Sequence, residues 1–169
     1  MNIAIVGASG AVGQELLKIL AERQFPVTNL RLFGSARSAG TTYHFCGKEY
    51  VVEELQHGDL FQGVDIAFVS AGGSVSKEYA EDITRYGAIM IDNSSAFRMD
   101  EQVPLVVPEL NSEDIAQATQ EGGKRIIANP NCTTIIMAVC LKAIEELSVV
   151  RDENYRTVKL ADSLLKNIL

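Results

Sequence analysis

The sequence predicts an α/β protein with a doubly wound parallel sheet, and two observations carry this prediction. Short apolar runs alternate along the chain with segments of helical periodicity. The apolar runs are also continuous, as in strands that are covered on both faces. Because right-handed crossover connections place helices on both faces of such a sheet, a doubly wound arrangement follows.

The predicted elements follow one another from the N-terminus. Residues 2–6 form a short, β-branched strand, and a glycine-rich turn leads from it into a helix with one apolar face. Residues 30–33 form the second strand, and residues 41–45 and 49–53 alternate as a hairpin. The remaining predicted elements are strands at 65–70, 88–91, 105–107 and 125–128, and helices at 75–86, at 112–120 and from Cys132 onward.

Length and charge limit the architecture and its partners. The 169 residues, 47% of them hydrophobic, suffice for one domain at residues 1–147 with a helical tail at 148–169. A net charge of −7 opposes attraction to nucleic acid or anionic lipid, and the longest apolar run is too short to cross a bilayer. We therefore expect a cytoplasmic protein with small-molecule partners that binds neither nucleic acid nor membranes.

The glycine-rich turn predicts a dinucleotide site. Its glycines Gly7, Gly10 and Gly13 recur every third residue, directly after a strand and before a helix. Small residues let the backbone approach a pyrophosphate, and the start of the helix offers unpaired N–H groups and a partial positive charge. The alternative is that the glycines only allow close packing, and the first spacing is GxxG instead of the usual GxG. Strand, turn and helix together favour a Rossmann-like domain.

Polar residues after the second strand favour NADP over NAD. An acidic side chain there would bind the ribose hydroxyls, but this chain has Ser35, Arg37 and Ser38. A guanidinium with flanking hydroxyls can bind a 2′-phosphate through charge-assisted hydrogen bonds. The alternative is a solvated surface arginine. Ala71 and Gly72 mark a second place where missing side chains would let the backbone approach the cofactor.

Cys132 is the candidate nucleophile. It follows a strand-like run and opens an apolar helix, with Asn131 as the expected N-cap. The N–H groups and dipole at the start of a helix favour the thiolate form of a cysteine there. Cys46 and Cys140 are expected to be small buried residues, and the absence of CxxC pairs indicates neither a disulfide nor a metal site.

The polar loop at residues 92–98 follows a buried strand and should reach the same edge of the sheet. Arg98 in this loop could bind an anionic substrate group, or it could form a surface ion pair with Asp100 or Glu101. His44 and His57 lie outside the candidate loops, so neither is a convincing general base.

Six motifs in one order resemble the aspartate-semialdehyde dehydrogenase family over residues 1–146; these are residues 7–13, 35–40, 70–72, 92–98, 103–109 and 129–132. The resemblance implies an enzyme that reduces L-aspartyl 4-phosphate to aspartate semialdehyde with NADPH, an early step towards lysine, threonine, methionine and isoleucine. It implies that Cys132 forms an acyl-thioester and that Asn131 and Arg98 help to hold the phosphate. The implied cofactor residues are Ser9, Gly10, Ala11 and Val12 for the pyrophosphate, Ser35, Arg37 and Ser38 for the 2′-phosphate, and Ala71, Gly72 and Asn93 for the rest of the groove.

In the family, the acid/base histidine and the substrate-binding arginine come from a substrate and dimerisation domain that follows the cysteine helix. Residues 148–169 stand in its place here, so we expect a coenzyme-binding portion that is weak or inactive alone, although the family forms homodimers. Two alternatives remain open. One is a non-catalytic nucleotide-binding or assembly module, and the other is an N-acetyl-glutamyl-phosphate reductase, which uses a related architecture and thiol.

Overall fold

The computed structural model describes residues 1–147, and the predicted helical tail at 148–169 lies outside them. The described residues form a seven-stranded sheet flanked by helices. The strands are β1 (Asn2–Val6), β2 (Asn29–Gly34), β3 (Thr42–Phe45), β4 (Lys48–Glu54), β5 (Ile66–Val69), β6 (Ile89–Asp92) and β7 (Ile126–Ala128). The α-helices are α1 (Ala11–Glu22), α2 (Gly73–Thr84), α3 (Pro108–Asn111), α4 (Ile115–Thr119) and α5 (Cys132–Leu147), and a 3₁₀ turn at Ser112–Asp114 joins α3 to α4.

The strand order confirms the doubly wound prediction. The order is β3-β4-β2-β1-β5-β6-β7, and each neighbouring pair is parallel except the β3–β4 hairpin. The chain therefore starts at β1 in the centre, moves outward through β2 to the β3–β4 hairpin at one edge, and returns to the other side of β1 at β5. The carboxyl ends of β1 and β5 flank the point where the winding reverses, which is where open α/β sheets bind ligands.

Strand β1 is buried on both faces, which explains its continuous apolar sequence. Val6 belongs to a core cluster with Ile83 of α2, whereas Ile5 belongs to a second cluster with Leu17 of α1. Because successive side chains of a strand point to opposite faces, α1 and α2 cover opposite faces of the sheet. The turn after β1 is thus held between two packed layers.

The predicted strand at residues 105–107 is wrong in extent, because only Leu105 pairs, through an isolated parallel bridge to Ala128. The backbone N–H of Val106 donates to the Ala128 carbonyl, but the next N–H, that of Val107, donates to the side chain of Asn111 at 2.9 Å. Helix α3 then begins at Pro108. A side-chain acceptor four residues ahead thus ends the pairing after one residue.

The predicted helix at residues 112–120 is also wrong, because this stretch divides into the 3₁₀ turn and α4. Asn111 precedes the division with non-helical φ and ψ of −147° and 45°. Its side-chain amide donates to the Leu105 carbonyl at 3.0 Å and to Asp114 at 2.8 Å. These bonds compete with a regular helix and break it at this point.

None of the helices between residues 1 and 147 combines the length and the apolar character that crossing a bilayer requires.

Candidate cofactor groove and thiol site

The turn after β1 needs glycine for steric reasons. Gly7 has a φ of +85°, and a Cβ atom added to it would lie 2.3 Å from the carbonyl oxygen of Ser70. A Cβ on Gly13 would lie 2.4 Å from the Gly7 carbonyl oxygen and 2.7 Å from Ala8. Gly13 is buried and therefore serves the packing of α1 against this turn. The packing alternative thus holds for Gly7 and Gly13, and the same close packing shapes the groove beside them.

Two helices begin at this edge of the sheet without side-chain caps. Gly10 is the N-cap of α1 and Gly72, with a φ of +93°, is the N-cap of α2. A glycine cannot satisfy the first N–H groups of a helix, so these groups remain available for an anion. The helix dipole adds a partial positive charge of about half a unit at each N-terminus. Both starts therefore suit a phosphate-bearing ligand.

A groove with a cavity volume of about 570 Å³ lies at this edge. It brings together three of the predicted segments: the glycine turn, the polar segment after β2 and the small-residue segment after β5. The lining residues are Val6, Gly7, Ser9, Gly10, Gly34, Ser35, Arg37, Ser38, Leu55, Ser70, Ala71, Val75, Glu78 and Tyr79.

The residues that line the groove are not all residues that the sequence predicted to bind the cofactor. Ala11, Val12, Gly13, Gly72 and Asn93 were predicted as cofactor residues and lie outside the lining. Sequence reasoning missed the apolar or aromatic wall residues Leu55, Val75 and Tyr79, as well as Glu78. Leu55 directly follows β4, the neighbour of β2, and Val75 and Tyr79 are four residues apart on α2. The spacing of Val75 and Tyr79 places them on one face of a helix, which the sequence could have shown. The position of Leu55 beside the groove depends on the strand order, which the sequence does not show.

The polar segment after β2 is a hydrogen-bonded turn. The backbone N–H groups of Ser38 and Ala39 both donate to the Ser35 carbonyl, at 2.9 and 3.0 Å. The Ser38 hydroxyl donates to the same carbonyl at 3.1 Å. Arg37 at the tip is exposed, and it forms no ion pair with another described residue. Its guanidinium is therefore placed at the rim of the groove with its charge uncompensated.

Arg98 and two asparagines join the loop after β6 to the turn after β7. Arg98 Nε donates to the Asn129 carbonyl at 2.9 Å, and Nη2 donates to the Asn93 carbonyl at 3.3 Å. The side-chain amide of Asn129 donates to Asn93 Oδ1 at 2.6 Å. Arg98 is only 8% exposed, so its guanidinium is buried and does not lie on the surface. Asn93 belongs to this link and not to the groove wall.

Cys132 is the first residue of α5, and its thiol is exposed. The predicted N-cap is confirmed, because Oδ1 of Asn131 accepts the backbone N–H of Thr133 at 3.0 Å. The Cys132 Sγ atom lies 3.8 Å from the same oxygen. Cys132 follows β7 at the carboxyl edge of the sheet but is not part of the groove lining.

The expected burial of Cys46 and Cys140 is wrong, because both thiols are exposed. Cys46 occupies the tight turn of the β3–β4 hairpin, where its φ is +46°. Cys140 lies on the outward side of α5. Within residues 1–147, no group of three or more His, Cys, Asp or Glu side chains could hold a metal ion.

The fold and the groove define a nucleotide-binding domain of the doubly wound class. The chain belongs to the semialdehyde dehydrogenase family, because the family model described as "Semialdehyde dehydrogenase, NAD binding domain" matches residues 2–118. Membership and the NADP-bound relative described below support binding of a nicotinamide cofactor.

Individual relatives carry the name aspartate-semialdehyde dehydrogenase. The protein of that name from Aquifex aeolicus is 52% identical over 150 residues, which cover 89% of this chain and 43% of the relative. A crystal structure of aspartate-semialdehyde dehydrogenase II from Vibrio cholerae, complexed with ASA, matches with 48% identity and a TM-score of 0.80, covering 86% of this chain and 46% of that one. An NADP-containing structure of the Candida albicans enzyme matches with 26% identity and a TM-score of 0.65, covering 86% of this chain and 47% of that one. The chain thus spans less than half the length of these relatives.

Proposed function

We propose that this chain is the NADP-binding part of an aspartate-semialdehyde dehydrogenase, with residues 1–147 as the cofactor domain. The observation that carries the proposal is the groove, which joins the glycine turn to Ser35, Arg37 and Ser38. The residues fit the cofactor, because Gly7 and Gly10 line the groove without side chains and the uncapped starts of α1 and α2 at this edge suit an anion.

Charge at the rim supports NADP over NAD. An NAD-specific domain of this class places an acidic side chain at the end of the second strand, where the ribose hydroxyls bind. Here Arg37 projects from a turn of two serines, and a guanidinium binds a 2′-phosphate with charge-assisted hydrogen bonds. The acidic residue in the groove lining is Glu78, whose carboxylate lies 3.5 Å from Nε2 of His57.

The proposed chemistry is nucleophilic catalysis at Cys132. The Cys132 thiolate attacks the acyl carbon of L-aspartyl 4-phosphate, a C–S bond forms, and phosphate leaves with the electrons of the broken C–O bond. The turn at residues 129–132, which follows β7 and carries Cys132, is called the thiol turn. Asn131 lies in this turn and Arg98 binds it through the Asn129 carbonyl, so the buried guanidinium of Arg98 places positive charge beside the site where phosphate departs. When bound, NADPH supplies the hydride that reduces the resulting thioester.

Cofactor titration tests the binding part of the proposal. Isothermal calorimetry of the purified chain should show NADP binding that is tighter than NAD binding. Equal affinity for both cofactors, or tighter NAD binding, would overturn the assignment of the 2′-phosphate site. No binding of either cofactor would overturn the proposed function.

Turnover tests the catalytic part. The purified chain should reduce L-aspartyl 4-phosphate weakly or not at all, and it should prefer this substrate to N-acetyl-glutamyl phosphate. Turnover comparable to that of an ordinary dehydrogenase would contradict a role as the coenzyme-binding portion. Preference for the N-acetyl-glutamyl substrate would replace the aspartyl assignment with the reductase alternative.

A second candidate, an assembly module, is favoured by the outward side of α5. Ile136 is 69% exposed, and Met137, Val139 and Leu141 on the same helix are also exposed. Apolar helix surface of this extent is typical of contact with another protein surface. Light scattering after size-exclusion chromatography would measure self-association. A stable dimer that fails to bind NADP would favour this candidate over the enzyme.

A further inference from the structure

A buried carboxylate lies between the groove and the thiol turn. Asp92 is the last residue of β6 and is 0% exposed. Its Oδ1 atom accepts the Ser76 hydroxyl at 2.6 Å and the Ser94 backbone N–H at 3.1 Å, and its Oδ2 atom accepts the Ser94 hydroxyl at 2.7 Å. All of these donors are neutral, and no described Lys, Arg or His forms an ion pair with Asp92.

A buried carboxylate without a cation needs fixed donors, because its removal from water is costly. Ser76 lies in the first turn of α2, where its backbone N–H donates to the Gly72 carbonyl at 3.0 Å. Asp92 therefore accepts a hydrogen bond at the positive end of α2, and the helix dipole helps to offset its burial. The position of the carboxylate is tied to the position of this helix start.

The Ser76 hydroxyl links Asp92 to the groove. Its single proton has two acceptors within reach, Asp92 Oδ1 at 2.6 Å and the Gly72 carbonyl at 3.2 Å, and the shorter distance favours the carboxylate. Val75, the residue before Ser76, lines the groove, and so does Ala71, the residue before the N-cap. Asp92 thus holds the part of α2 that forms one wall of the groove.

The backbone of Asp92 is hydrogen-bonded to the thiol turn. Its carbonyl accepts the Asn129 N–H at 2.8 Å, three residues before Cys132. The next residue, Asn93, accepts the side-chain amide of Asn129 at 2.6 Å. Strand β6 lies directly beside β7, so these bonds continue the sheet contact into the turn.

We propose that Asp92 is a positioning residue that fixes the start of α2 relative to the turn carrying Cys132. This inference deepens the proposed function and rests on it, because hydride transfer requires the bound nicotinamide and the acyl carbon on Cys132 to meet at a set distance. Asp92 acts through Ser76 and Asn129 and touches neither reactant.

The test compares Asp92→Ala, Asp92→Asn and Ser76→Ala with the unmodified chain. The readout is the rate of alkylation of each cysteine by iodoacetamide, resolved by peptide mass spectrometry without cofactor. The exposed thiol of Cys46, on the distant β3–β4 hairpin, is the internal reference. Melting temperatures show whether each variant is folded.

Ser76→Ala should lower the ratio of Cys132 to Cys46 alkylation about fivefold, the lower end of a typical coupling between sites. The reason is that a loosened turn no longer holds the Cys132 thiol in its place at the start of α5, where Sγ lies 3.8 Å from Oδ1 of Asn131, and the reactivity of a cysteine depends on such local surroundings. The Ser76 hydroxyl bonds Asp92 and the Gly72 carbonyl and none of residues 129–132, so Asp92 is the hydrogen-bonded route from Ser76 to the turn. Asp92→Ala should have the same effect, and if this variant fails to fold, Ser76→Ala carries the test.

Asp92→Asn should keep the alkylation ratio of the unmodified chain. Oδ1 of the amide can accept the same two donors, and its NH₂ group can donate to the Ser94 hydroxyl. The matched control is Ile83→Val, which removes a methyl group from the core face of α2 without touching Asp92. An unchanged ratio in Ser76→Ala, or an equal fall in Ile83→Val, would overturn the proposal. Failure of NADP binding in the unmodified chain would overturn the proposed function instead, since the alkylation ratio is measured without cofactor.

Discussion

His57 and Asp82 form a short pair, with 2.6 Å between Nδ1 of the imidazole and Oδ2 of the carboxylate. Asp82 lies on α2 and is 8% exposed, and the His57 ring stacks on Tyr79 of the same helix with 4.6 Å between ring centroids. Tyr79 lines the groove. The pair is therefore connected to the groove wall through the stacking of His57 on Tyr79.

Stability should depend on pH through this pair. The hydrogen bond that His57 donates to Asp82 raises the pKa of His57 above its usual 6.5, and burial opposes this shift. Burial raises the pKa of Asp82, but the bonds from His57 and the Gly58 N–H outweigh it and lower that pKa below its usual 3.8. The contribution of the pair is thus complete between pH 3.8 and 6.5. It is lost as pH rises through the raised pKa of His57, and also as pH falls through the lowered pKa of Asp82.

The substitution His57→Gln should therefore lower the melting temperature more at about pH 5.5 than at about pH 8.5. Differential scanning calorimetry at both pH values measures this difference. In an Asp82→Asn background, the same substitution should lose most of its pH dependence. A larger loss at the higher pH would show that the sign of the linkage is wrong.

Arg37→Ala should weaken NADP binding by about 1.5–3 kcal/mol, or roughly 10- to 150-fold, because it removes charge-assisted bonds to the 2′-phosphate. NAD affinity should change little, since NAD lacks that phosphate. Calorimetric titration with both cofactors measures the two effects. The control is Arg23→Ala, which removes an exposed arginine at the far end of α1. An equal loss for NAD and NADP would argue against contact between Arg37 and the 2′-phosphate.

Gly13→Ala should destabilise the fold by about 1–3 kcal/mol, since the new Cβ meets backbone that is packed on both sides. In the structure this Cβ would lie 2.4 Å from the Gly7 carbonyl oxygen. Gly10→Ala is the matched control, with a closest contact of 3.3 Å to the same oxygen. Urea unfolding of both variants should show a clearly smaller loss for Gly10→Ala. Equal losses would contradict the packing role of Gly13.

Asn131→Ala should cost about 0.5–2 kcal/mol of stability, because the Thr133 N–H loses its acceptor at the start of α5. Asn131→Asp keeps an oxygen in the same place and should retain most of the stability. Urea unfolding curves compare the two variants with the unmodified chain. Full retention of stability in the alanine variant would show that this cap contributes nothing to the fold.

Local sequence determined the features that depend on neighbouring residues. The buried strands β1 and β5 follow from continuous apolar runs, and the glycine turn follows from strand, glycines and helix in immediate succession. The cap at Asn131 depends on a bond spanning two residues. Such features need no knowledge of distant parts of the chain, so pattern and spacing could predict them.

Features that depend on a competing or a distant hydrogen-bond partner were missed or misassigned. Leu105 can pair with Ala128 for one residue only, because the N–H of Val107 takes the Asn111 side chain as its acceptor. The burial of Arg98 depends on a carbonyl 31 residues away. Strand periodicity and loop position do not report such competing partners.

The sequence by itself therefore determined the alternation of strands and helices, the glycine turn and the capped thiol at Cys132. Only the tertiary structure decided that Leu55 and Tyr79 wall the groove and that Asp92 links α2 to the thiol turn. The physical reason is the order of the parallel strands. It brings the carboxyl ends of strands that are distant in sequence to one edge of the sheet, where their side chains meet.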